Sequence, residues 1–148
     1  MNLFPVLLVV HIGLALAMLL PSVVLPFALR DGRAPGPIAK RLLALQGGGT
    51  LLIGLGLGLT GAALLAILGP SLLRQPWLLV ALSLYAINLL VAGFISRPNL
   101  RRLIRIGSAD GDGARWRRRA RQQRYVAYAM AGVIGVIGFL MSTKPQLW

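Results

Sequence analysis

The sequence predicts an all-α fold: a bundle of four transmembrane helices with a short amphipathic helix between the third and the fourth. Three observations carry that prediction. Four long apolar stretches, about residues 3–29, 42–68, 77–96 and 125–143, contain no Asp, Glu, Lys or Arg. Each reaches the roughly 20 residues that span a hydrocarbon core of about 30 Å. The composition is 57% hydrophobic and only 13% charged, with a mean hydropathy of +0.76. Finally, every basic residue lies outside these stretches. Strands of a membrane barrel would alternate polar and apolar over about 10 residues, whereas these runs are apolar on every face. The 148 residues are expected to form a single transmembrane domain, residues 1–148, with no soluble one. The sequence has no Cys, which excludes disulfides, thiolate metal sites and iron–sulfur clusters.

The first span has no Lys or Arg before it and an apolar run too long for a cleaved signal peptide, so it is expected to stay as a membrane helix. Pro21 and Pro26 should kink it and free backbone carbonyls near one end. The second span carries Gly47, Gly54 and Gly61 at intervals of seven, and Gly54 with Gly58 has the small-xxx-small spacing. Lipid tails remove the hydrophobic drive between helices, so close backbone approach at small residues has to supply the contact. Ala127, Ala131 and Gly135 of the fourth span, with Gly138 beside them, and Gly13 and Ala17 of the first, are candidates for the same role. Such faces pack the bundle internally, or dock it on itself or on another membrane subunit. Residues 47–50 read GGGT but lack the Lys-Ser/Thr of a phosphate loop.

Fourteen of the 16 basic residues lie in the first and third connections, Arg74 lies in the second and Lys144 follows the last span. Lys and Arg in short loops mark the cytoplasmic side, which puts both termini outside. All three acids, Asp31, Asp110 and Asp112, fall on the basic side as well. Asp110 and Asp112 resemble the start of a calcium loop, but the later ligands and the closing Glu are missing. A net charge of +13 would suggest nucleic acid in a soluble protein; here it is read as topology and attraction to an anionic leaflet, with no nucleic acid. The third connection, residues 97–124, holds Arg101, Arg102, Arg105, Arg115, Arg117, Arg118, Arg119, Arg121 and Arg124 as contacts for anionic lipid or an acidic partner. Leu100, Leu103 and Ile104 recur there at helical spacing, after Pro98 and before Gly107, which predicts a short helix in the headgroup layer. From Ala114 the chain should run as helix into span four, with Trp116 and Tyr125 at the interface.

Polar groups inside a membrane are expensive and are the default functional suspects. They are His11, Gln46, Thr50, Thr60, Ser83, Tyr85 and Asn88. Depth matching at about 1.5 Å per residue sets His11 level with Thr60, Ser83 and Phe139. A hydrogen bond to Thr60 or Ser83 would satisfy the ring without a cofactor. The sharper alternative is haem b, since a neutral imidazole is a good axial ligand and His11 is the only histidine. No embedded carboxylate is available for a triad or for carrying a proton, and Met1, Met18, Met130 and Met141 form no copper cluster.

Two stretches carry a resemblance: "LLVVHIGLALAMLL" in the first span and "YVAYAMAGVIGVIGFLMSTKP" at the end. They resemble a group of small bacterial four-helix membrane proteins, distantly similar to the copper-resistance-D superfamily and its relative, the haem-binding membrane protoporphyrinogen oxidase. In those oxidases the first-span His is a haem ligand, so the resemblance implies His11 here. The expectation is a non-enzymatic protein of the bacterial inner membrane, an accessory or structural subunit in a larger assembly or a homo-oligomer. A haem-binding protein and a small transporter component are the alternatives.

Overall fold

A computed structural model describes residues 3–29, 36–44, 48–107 and 113–145. Gln46, Gly47 and the three acids lie outside them. The described residues are helical nearly throughout: α1 Leu3–Ala28, α2 Pro37–Ala44, α3 Thr50–Leu68, α4 Pro76–Leu90, α5 Arg97–Gly107 and α6 Gly113–Thr143. A π-helical segment, Val91–Ser96, joins α4 to α5, and a 3-10 turn, Pro70–Arg74, precedes α4. Gly69 ends α3 at a φ of +98°, a backbone conformation that glycine adopts without a Cβ penalty. Four helices are long and apolar enough to cross a membrane: α1, α3, α6 and the continuous helix Pro76–Ile106. Their outward faces are apolar, with Leu52 and Leu59 of α3 74% and 73% exposed, which is tolerable only against lipid. The chain is a multi-pass membrane protein.

Helix α1 packs against both α3 and α6, and α6 packs against α4 and α5. Along the α6 seam the buried residues step by four and three: Trp116, Ala120, Gln123, Ala127, Met130. That stepping keeps one stripe of the helix on its partner. On the facing helix the buried stripe runs Ala81, Asn88, Ala92 and then Ser96, Asn99 and Leu103. The π turn Val91–Ser96 lies in the middle of this stripe, with Ser96 buried on the seam and Ile95 exposed. Pro98 supplies the cause. It has no N–H, and its ring clashes with the carbonyl four residues back, so the ladder loosens just before it. The Arg97 amide, accordingly, reaches back five residues to Ala92.

The third span and α5 are therefore one helix of 31 residues, and α6 has 31 as well, each about 46 Å long at 1.5 Å per residue. Both exceed a hydrocarbon core of about 30 Å. They form an antiparallel hairpin extending past the apolar part of the bundle on the basic side. The short amphipathic helix expected between spans three and four is present as α5, running on from span three without a break. Leu100 and Leu103 are buried, together with Leu25, Leu29, Leu43, Trp116 and Ala120, in a core drawn from α1, α2, α5 and α6. Leu100 and Leu103 of its apolar face thus meet protein, while Ile104 is exposed. Trp116, expected at the interface, is buried in the same core, while Tyr125 is exposed. The second span also starts later than residue 42. Residues 42–44 close α2, where Leu43 joins that core, and the membrane helix begins at Thr50.

Candidate functional site

Three sets of polar side chains lie within the bundle, each where two helices meet. The first joins α1 to α3. His11 Nδ1 lies 2.9 Å from Thr60 Oγ1, one of the two pairings that depth matching allows. Thr60 Oγ1 also lies 3.0 Å from the carbonyls of Gly56 and Leu57 in its own helix. With its single proton turned to those carbonyls, the hydroxyl accepts and His11 Nδ1–H donates. The other ring nitrogen, Nε2, is then the unprotonated one. Gly61 makes the approach possible, since a Cβ there would stand 3.2 Å from His11 Cε1.

The second set joins α3 to α4. The Tyr85 hydroxyl donates to the Gly54 carbonyl. A Cβ at Gly58 would meet that hydroxyl at 2.9 Å, and one at Gly54 would meet Leu89 Cδ2 at 2.5 Å. Gly54, Gly58 and Gly61 are thus close-approach positions, as their spacing suggests. In each case the neighbour is a side chain rather than a facing backbone. Asn88, one turn on from Tyr85, is 2% exposed, and its Nδ2 has no hydrogen-bond partner. That amide therefore makes no tie to a neighbouring helix. Ser83 is exposed and bonds Leu79 O in its own helix.

The third set lies where the hairpin leaves the apolar zone. Gln123 Nε2 donates to Ser96 Oγ at 2.9 Å, and Asn99 Nδ2 donates to Gln123 Oε1 at 3.0 Å. Arg119 Nη1 donates to Asn99 Oδ1 at 3.4 Å. Ser96, Asn99 and Gln123 are all buried. Sequence reading passes over this chain of four. Gln123 hides in a run of arginines, where no apolar contrast reveals the phase of the helix. A four-three stepping back from Met130 and Ala127 would have found it.

The remaining candidates divide. Ala127 is buried at the α6 seam and Ala131 is half-buried. Gly135, expected to pack, is exposed, and nothing lies within 4 Å of where its Cβ would be; the same holds for Gly13, Gly132 and Gly138. These glycines lie off the buried stripe Ala127, Met130, Leu140. Arg101, Arg102, Arg105, Arg115, Arg117, Arg118 and Arg121 are exposed, and Arg119 and Arg124 are half-buried. The arrangement defines a four-span membrane protein with a basic helical hairpin and interhelical polar ties. No family model matches the chain, and neither a curated protein nor a solved structure does.

Proposed function

We propose that the protein is a non-enzymatic accessory or structural subunit of the bacterial inner membrane, packing laterally on another transmembrane helix, its own copy's or a partner's. The observation that carries this reading is the open row Gly132, Gly135 and Gly138 on α6, exposed and without a neighbour within 4 Å. Glycine costs a helix about 1 kcal/mol relative to alanine and gives lipid nothing in return, whereas it lets a second helix come close. The polar side chains support the same reading, since His11, Tyr85, Ser96, Asn99 and Gln123 are engaged in ties between helices. The basic hairpin faces the cytoplasm in this account, against the anionic leaflet, with both termini outside. Purification in mild detergent tests it. The wild type runs with a stoichiometric second chain or as a homo-oligomer, and Gly135→Leu runs as a monomer; a wild type already monomeric in native lipid discs contradicts it.

A second reading is a b-type haem protein built on His11, favoured by the tautomer that leaves Nε2 with a free lone pair. His11, the only histidine, would hold the group through Nε2, and the thioethers of Met18 on the same helix and Met141 on α6 are soft donors in the spans. Bound haem would supply redox chemistry; Thr60 would fix the imidazole by accepting from Nδ1. A Soret band in the purified wild type, lost in His11→Gln, decides for it.

A further inference from the structure

An open groove of about 250 Å³ lies between the helices of the hairpin where it leaves the apolar zone. Its lining is sorted by depth. Phe94, Ile95 and Pro98 form one end, and Asn99, Arg102 and Arg119, with Gln122, form the other. Phe94 is 78% exposed, so the apolar end continues into the lipid-facing surface. From Phe94 to Arg102 the helix rises about 12 Å, the step from acyl chain to headgroup. At the polar end, Arg119 is held against Asn99 Oδ1, a bond that uses one of the five N–H donors of its guanidinium. Asn99 is in turn fixed by Gln123. The rim is therefore pre-organised on one side, while Arg102 is exposed on the other. The surrounding connection has ten arginines against two aspartates, so its own acids cannot neutralise the rim.

We propose that this groove binds the head of an anionic glycerophospholipid, its phosphodiester bridged by Arg102 and Arg119 and one acyl chain lying along Phe94 and Ile95. Guanidinium forks match phosphate oxygens in geometry and charge. Two of them around one phosphate favour a lipid of net negative charge, because the ammonium of a zwitterionic head would meet the surrounding arginines. An acidic peptide fits less well, since one end of the groove opens past Phe94 onto the apolar, lipid-facing surface. The inference rests on the placement of the basic end in an anionic leaflet proposed above. It adds a defined site to a diffuse attraction.

Native mass spectrometry of the detergent-purified full chain, titrated with phosphatidylglycerol or phosphatidylethanolamine, tests it. The wild type is expected to retain one phosphatidylglycerol per chain, with phosphatidylethanolamine at least about tenfold weaker. Arg102→Gln, which breaks no hydrogen bond described here, should weaken retention about tenfold, and Arg102→Gln with Arg119→Gln further. The charge-matched control, Arg101→Gln with Arg117→Gln, removes two exposed arginines outside the groove and should change retention less than about twofold. Millimolar inorganic phosphate should not displace the lipid. Equal losses in the two double variants would reduce the site to diffuse attraction, leaving the membrane placement intact. Equal retention of the two lipids, or displacement by phosphate, would overturn the proposal outright.

Discussion

Gln123 of α6 donates to the Ser96 hydroxyl at 2.9 Å, and both side chains are buried on the seam at the end of the π turn. Gln123→Leu would leave Ser96 Oγ and Asn99 Nδ2 without their partner, and each orphaned buried group costs about 1–3 kcal/mol. Thermal unfolding in detergent should show a clear loss of stability. Adding Ser96→Ala to Gln123→Leu should recover part of it, because the second change removes an orphan. Strict additivity of the two single changes would mean that the bond contributes nothing.

His11→Gln should be well tolerated if the ring is a helix tie, since interhelical hydrogen bonds in membranes average about 0.6 kcal/mol and reach about 1.7. Expression and thermal midpoint are expected to stay close to wild type. A wild type that carries iron and loses it in this variant would promote the haem reading.

The glycines separate into two classes with opposite expectations. Gly58→Leu drives a side chain into the Tyr85 hydroxyl, 2.9 Å from the first added atom, and overpacking of this kind costs about 1–3 kcal/mol. A Cβ at Gly135 would meet nothing within 4 Å. In a detergent that leaves the chain monomeric, the bundle should therefore melt earlier in the first variant and unchanged in the second, as read by circular dichroism. Equal destabilisation would mean that Gly135 packs inside the bundle.

Orientation follows from charge alone. A reporter that fluoresces only in the cytoplasm should be dark when fused after Trp148 and bright when inserted at Gly111, because 14 of 16 basic residues favour one side. The reverse pattern would turn the molecule over.

The spans were legible in the sequence because no charge interrupts them, and depth narrowed the partner of His11 to Thr60 or Ser83, of which Thr60 makes the bond. The destination of an apolar face was not. Leu100 and Leu103 read equally well as lipid-facing or protein-facing, and only the folded hairpin, with Trp116 and Ala120 opposite, decides. The join at Pro98 was ambiguous for a related reason: a proline suits the first turn of a new helix and also a π turn inside an old one. Leu43 was absorbed into span two because an apolar run does not reveal where its helix breaks. Small residues mark close approach without saying to what, which is why Gly58 and Gly135 looked alike until Tyr85 was found beside one and nothing beside the other.

Lateral docking through α6 is the central claim, and the absence of cysteine from the sequence makes its test clean. Val136→Cys, on the exposed face of α6 beside the glycine row, and Leu52→Cys, on the lipid face of α3, can each carry a thiol-attached benzophenone in native membranes. Illumination should give one adduct of discrete higher mass from position 136, lost when Gly135→Leu is added, and lipid adducts alone from position 52. Lipid adducts alone from both positions would contradict the account.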